Sequence, residues 1–410
     1  MRPDVLGVTA LALRDRSFLA VLLACFLVLF VCLSTPILLP YYGDEEVYVR
    51  CGLDYVVNLT APYTCNFEHP PLGKYLIGFL ELLDFSRLAF LLLLACSSLL
   101  TFLITRNLVD SGSIAFLTAS FLVLDTVFIN TYRHLLLDPP AVSLLLLSLY
   151  LILVRDSLLL SSLFFGLSVA CKLSVLPYSL VFTHVIVTGS GGWRASLRRL
   201  TVFVITALIA YLSTYVADLS LGFYSVIQHH VEMLTYMSWR HGFSLPMTAN
   251  GLLKLVSKVE VWRYGGELSL LLTPVNTSFF TLANSTFTPG SSSYAIVGVG
   301  LGSLLWYATL PSLLINTYWA LTRRLSSVEG VITLTGWVSL ATVLPGPIDW
   351  YYINVLPALY MNVALTFSHL VRGESRSGLA VVASLTLAQA LITLLTLFNV
   401  IPFEVSVFTR

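Results

Sequence analysis

The sequence predicts an all-α polytopic membrane protein, a single membrane domain over residues 1–410 with about eleven transmembrane helices. Three observations lead there. Charged residues make up only 10% of the chain, whereas a soluble domain carries about a quarter. Hydrophobic residues make up 57%, and the mean hydropathy is +0.87. The apolar residues are also gathered into long runs, and a helix of about 20 such residues crosses a bilayer. A formal net charge of +1 gives no reason to expect nucleic acid as a partner.

The first run, 18–39, is long enough to span and lacks a small-residue cleavage site, so it reads as a retained helix rather than a signal peptide. Further runs fall at 88–105, 114–130, 140–154, 158–171, 174–189, 200–217, 294–320, 330–345, 351–370 and 379–400. The fifth and sixth are short and also suit a hairpin inside the protein. An odd number of spans puts the termini on opposite faces. With the N-terminus cytoplasmic, the inner segments hold twelve arginines against six acids, and W-R-A-S-L-R-R and T-R-R-L are purely basic. That is the sense of the positive-inside rule.

Two outer segments are large, at about 40–87 and about 218–293. The first packs Asp44, Glu45, Glu46, Glu68, His69 and Lys74 between two apolar runs. A membrane protein gathers ionisable groups where it does chemistry or holds an ion. After Pro71, a residue suited to a first helical turn, the apolar residues Leu72, Tyr75, Leu76, Phe79, Leu82 and Leu83 share one face of a helix lying along the membrane surface. The second outer segment carries I-Q-H-H-V-E-M-L-T-Y-M-S-W-R-H, a second surface helix. Sequons at Asn58, Asn276 and Asn284 all fall on the outer side, as N-glycosylation acceptors would. Cys25, Cys32, Cys96 and Cys171 lie in or beside apolar runs and read as small core residues. Cys51 and Cys65 share the first outer segment, either as a disulfide in an oxidising compartment or as two thiols.

Four motifs carry candidate chemistry. In D-E-x-x-Y (Asp44, Glu45, Tyr48) two adjacent carboxylates raise each other's pKa, and a natural division is one general base and one group that orients a partner. In F-E-H-P-P-L-G-K, Glu68 and His69 suit a divalent metal or an acceptor hydroxyl, and the prolines stiffen the turn. In L-D-T-V-F-I-N-T-Y-R-H-L-L-L-D, Asp125 marks a partnered interior position, and Arg133 can fork onto a phosphate. Asp138 suits either a substrate contact or a structural pair with Arg133. Lys172, between two short spans, either meets a lipid phosphate or snorkels.

Taken together, D-E-x-x-Y, H-P-P-L-G-K, the Asp followed by R-x-x-L-L-D, and the late Y-x-x-x-x-L-P-A-L-Y (Tyr351 to Tyr360) resemble the dolichyl-phosphate-mannose protein O-mannosyltransferases in order and kind. The likeness is densest over 40–180 and thinner at 220–245 and 345–362. It implies the C-type (GT-C) membrane glycosyltransferase fold. It also implies transfer of a mannosyl or other hexosyl unit from a polyprenyl or dolichyl phosphate to a hydroxyl, by default that of a protein Ser or Thr. The site would face outward, at the plasma membrane or the lumen of the endoplasmic reticulum. By the same resemblance Asp44 is the catalytic base with Glu45 beside it, Arg133 grips the donor phosphate, and His69 and Lys172 border the pocket. Glu68, Lys74, Asp138 and Tyr48 are further substrate-binding candidates. No cofactor is required, and a divalent metal remains an option at Glu68 and His69. The chain departs from the family in lacking a large lumenal insertion and in carrying Asn354 where a His is frequent. Those departures bear on the acceptor. Alternatives are a related GT-C enzyme acting on a lipid or glycan, and a lipid-linked sugar transporter or flippase.

Overall fold

The computed structural model describes residues 16–34, 44–109, 111–240, 262–264, 267–269, 293–296, 304–343, 349–371, 376–397 and 406–409. The fold is built of helices. In chain order they are α1 (Arg16–Ser34), α2 (Asp44–Val57), α3 (Leu72–Leu82), α4 (Ser86–Val109), α5 (Gly112–Val123), α6 (Thr126–Arg133), α7 (Asp138–Leu153), α8 (Leu158–Cys171) and α9 (Ser179–Thr188). They continue as α10 (Trp193–Ser213), α11 (Val216–Leu219), α12 (Phe223–Arg240), α13 (Trp306–Leu321), α14 (Ser327–Val343), α15 (Leu356–Val371) and α16 (Arg376–Leu397). Three short 3₁₀ helices (Pro62–Thr64, Leu173–Tyr178 and Asp349–Asn354) and two short antiparallel strand pairs, Trp262–Tyr264 with Glu267–Ser269 and Ser293–Ile296 with Ser406–Thr409, complete the described elements.

Among the described residues two helices, α4 and α10, are each long and apolar enough to cross a membrane, and α5 with α6 makes a third if the bent pair is one span. Other runs predicted to span appear as shorter apolar helices. α7 and α8, with 16 and 14 residues, reach about 24 and 21 Å at 1.5 Å per residue, less than a hydrocarbon core of about 30 Å. The face of α10 that meets no other helix is apolar: Val204, Ile205, Leu208 and Ile209 are exposed, and only Ser196, Phe203 and Ala210 are buried. Such a surface suits lipid better than water.

The predicted third span, 114–130, is broken rather than continuous. α5 and α6 meet at 57°. Asp125 caps α6 by accepting the Phe128 N–H at 2.9 Å, and its other oxygen accepts the Tyr360 hydroxyl at 2.7 Å. The Leu124 carbonyl at the break accepts Gln389 Nε2 at 3.2 Å and Thr393 Oγ1 at 2.5 Å, both from α16. The Asp125 carboxylate and the Leu124 carbonyl at the bend thus both find partners, as an apolar interior requires. The predicted eighth span is also shorter than its run: 293–296 pair as a strand, and the helix begins at Trp306.

Local chemistry explains the starts of the helices that matter for the site. Three acids fill the first turn of α2, where the helix dipole favours them. Pro71 stands at the cap of α3 rather than inside its first turn. α7 opens on Asp138-Pro139-Pro140, prolines being tolerated where no intrahelical N–H is needed. One large apolar cluster runs through α1, α4, α5, α7, α14 and α15. A smaller one joins Tyr48 and Val49 of α2, Ile77 of α3, Phe90 of α4 and Leu135–Leu137. It is this second cluster that packs α2 and α3 against α4 and residues 135–137.

α2 and α3 cross glycine to glycine. A Cβ on Gly78 would lie 2.1 Å from the carbonyl carbon and oxygen of Gly52, and one on Gly52 would lie 2.3 Å from the Lys74 carbonyl. Backbone cannot yield as a side chain does. Gly78→Ala is therefore expected to destabilise the crossing by about 1–3 kcal/mol, read as a lowered midpoint of thermal unfolding in detergent. An unchanged midpoint contradicts the close approach.

Candidate active site

The site is organised by a carboxylate that turns inward. A helix advances about 100° per residue, so the three acids at the start of α2 cannot share a face. Asp44 and Glu46 are exposed, and Glu45 is fully buried. Glu45 Oε1 accepts from Arg87 Nη1 at 2.5 Å and from the Leu135 N–H at 2.6 Å. Its Oε2 lies 2.9 Å from His134 Nδ1. Burial alone pushes the Glu45 carboxyl up, but the His134 hydrogen bond and charge, the Arg87 charge and the Leu135 N–H together outweigh it and hold the group below the usual carboxylate range. Arg87 Nη1 also donates to the Arg133 carbonyl at 2.6 Å. Glu45 and Arg87 thereby link Asp44 to Arg133. The Arg133 guanidinium is within electrostatic reach of that of Arg87 and of Cys32 near the end of α1.

Around this clamp lies the F-E-H-P-P turn. Tyr48, buried, directs its hydroxyl at Asp44 Oδ2, a long 3.5 Å, and presents its ring at 6.0 Å to the edge of His69. Glu68 and His69 are half-buried on the turn. Cys51 and Cys65 form a disulfide whose Cα atoms are 5.6 Å apart. Asn58 is exposed, with its amide on Asp54 at 3.1 Å; Asn276 and Asn284 lie outside the described residues.

Three residues read from the sequence as substrate contacts have interior places. Lys74 is fully buried, and its ammonium donates to the Asn66 carbonyl at 2.5 Å, Asn66 Oδ1 at 3.3 Å and the His69 carbonyl at 3.0 Å. Burial pulls Lys74 down to about 7, against the opposing charges of Glu68 and Asp218. Its charge holds the turn. Asp138 does not pair with Arg133; it bonds Lys172 at 2.5 Å and accepts Asn354 Nδ2 at 3.2 Å. With both ends buried, Lys172 does not snorkel, and contact with a substrate would require the pair to open. Asn354 ties this pair to the late motif, its carbonyl accepting the Tyr178 hydroxyl at 2.6 Å. Glu45, expected to share the catalytic task, has no exposure, and its carboxylate is taken up by Arg87, His134 and the Leu135 N–H.

Arg87 and His134 are the residues that sequence reasoning missed. Arg87 was legible only as a lone base at the start of an apolar run, and His134 only as a letter inside R-H-L-L-L-D. What remains accessible is Asp44, the chain neighbour of the buried Glu45 that holds Arg87 and His134. Among the described residues, no group of three or more His, Cys, Asp or Glu side chains is arranged to hold a metal ion. The chain matches no family model, and no curated protein matches it.

Proposed function

We propose that the protein is a membrane glycosyltransferase that moves a hexosyl unit, mannose by preference, from a polyprenyl phosphate to the hydroxyl of a protein Ser or Thr on the extracytoplasmic face. The observation that carries this reading is the Glu45 clamp. It ties the first turn of α2, where the carboxylate of Asp44 is exposed, to the cation Arg87 and to the backbone at 133–135, while Tyr48 joins Asp44 to the half-buried His69. A displacement at an anomeric carbon needs those two poles.

In the proposed step the Asp44 carboxylate takes the proton of the acceptor hydroxyl as its oxygen bonds to the anomeric carbon. The bond from that carbon to the phosphate oxygen breaks, and its electron pair leaves with the polyprenyl phosphate. Arg133 and Arg87 meet the negative charge gathering on the leaving group. The proton on Asp44 then passes to water. Glu45 takes no proton; it holds Arg87 and the 133–135 backbone in place. In this reading the N-terminus is cytoplasmic, and the eleven-span C-type fold surrounds the site.

The test is donor kinetics with the full chain in lipid. Arg133→Ala is expected to raise the KM for polyprenyl-phosphate mannose by about tenfold or more, the loss of a charged hydrogen bond to phosphate, with a smaller change in the KM of a Ser/Thr peptide. An unchanged donor KM overturns the assignment of Arg133. Transfer to a glycan or lipid but never to the peptide overturns the protein acceptor while leaving the reaction.

A further inference from the structure

The second outer segment reaches the first through a buried Asp–His hydrogen-bonded pair that the proposed chemistry does not use. Asp218, in the short helix α11, is fully buried; its Oδ1 accepts the Tyr63 N–H at 2.9 Å, and its Oδ2 lies 2.7 Å from His229 Nδ1. His229, fully buried on α12, places Nε2 3.1 Å from the Phe67 carbonyl. Outside this pair the Tyr63 hydroxyl donates to Glu232 Oε1 at 2.8 Å and accepts from Gln228 Nε2 at 2.8 Å.

The turn 62–69 is held in the same way from the other side. Tyr55 donates its hydroxyl to the Pro62 and Cys65 carbonyls, Lys74 binds the Asn66 and His69 carbonyls, and Cys65 is disulfide-bonded to Cys51. Surface turns ordinarily leave such carbonyls to water. Burying ionisable groups to hold a turn is costly, and the return is fixed position. The turn ends at His69, which stands against Tyr48, whose hydroxyl faces Asp44.

We infer that Asp218 and His229 are positioning residues for the acceptor side of the site: they latch the 62–69 turn, and with it Glu68 and His69, beside Asp44. The latch is independent of any activity; the word acceptor rests on the transferase reading. α12 thereby has a task that its thin sequence signal does not announce.

The experiment uses Asp218→Asn and His229→Gln in the full chain in lipid, with two readouts. Amide hydrogen exchange in 62–69 is expected to quicken by about tenfold to a hundredfold, as loss of a charged hydrogen bond allows, with no change in the Ser86–Val109 helix. The KM for a Ser/Thr peptide is expected to rise by about tenfold through misplacement, with the donor KM unchanged. Should either variant fail to fold, Asp218→Glu, which keeps the charge on a longer arm, is read for the same turn-specific loosening. Normal exchange in 62–69 overturns the latch. Quickened exchange with an unaltered peptide KM overturns its acceptor role. A wild-type protein that transfers to no acceptor removes the transferase reading and the acceptor role with it, while exchange still decides the latch.

Discussion

Asp44→Asn is expected to lower the turnover of hexosyl transfer by about 10²–10⁴-fold, the range lost with a general base. The expectation follows from its place. Asp44 is the first residue of α2 and exposed, and its contact with Tyr48 is long at 3.5 Å. Asparagine keeps its size and can still begin a helix, so the clamp built by the next residue survives. The amide cannot take the acceptor proton. Carrier binding, set by the cationic cluster, is expected to stay within about threefold, since the charge removed lies on the acceptor side. Turnover at saturating donor and peptide, with a parallel carrier-binding curve, checks both halves. Near-normal turnover contradicts the base assignment.

Glu45→Gln is expected to act on stability instead. Removing one member of a buried, hydrogen-bonded ion pair costs about 3–5 kcal/mol, because the remaining charge loses its counterpart. Here Arg87, 15% exposed, would lose its carboxylate, and His134 Nδ1 would lose an anionic partner. Unfolding of the outer segment in detergent, followed by exchange or limited proteolysis, reports the loss. The pH dependence has a definite sign. A carboxyl held below its ordinary value contributes stability that is complete above the unfolded pKa, about 4.3, and is lost as pH falls through the lower folded value. The wild type should therefore loosen around residues 44–48 and 133–135 in acid, whereas the Gln variant is already loosened at neutral pH and shows no such limb. An equal acid response in both contradicts the clamp.

Much of the outer segment was legible because its signals are local. The acids at the head of α2, the prolines ahead of α3 and the helix that follows them, and the two short runs 158–171 and 174–189 that appear as α8 and α9 all follow from neighbouring residues. What a sequence does not disclose is which way a side chain turns. Asp44 and Glu45 are adjacent and alike; the one that turns inward meets Arg87, His134 and Leu135, 42 to 90 positions away. Asp125 was readable as a residue needing a partner, but Tyr360 arrives from 235 positions away. The same holds for His229, whose ring meets the Phe67 carbonyl across 162 positions. Lys74 and Lys172 show the opposite failing. A lysine near an expected phosphate site reads as a ligand, yet one caps a turn and the other neutralises Asp138. The break between α5 and α6 was hidden because the apolar run continues past it through Val127, Phe128 and Ile129, and Asp125 does not show in the sequence that it caps a new helix.

The central claim is that an outward-facing carboxylate and a cationic cluster act on one lipid-linked sugar. Its most direct test is transfer by the purified full chain in lipid, given polyprenyl-phosphate [³H]mannose and a Ser/Thr peptide. The account predicts label on the peptide hydroxyl and release of the polyprenyl phosphate in equal amount, both abolished by Asp44→Asn. A wild-type protein that leaves the donor intact with peptide, glycan and lipid acceptors alike would contradict it.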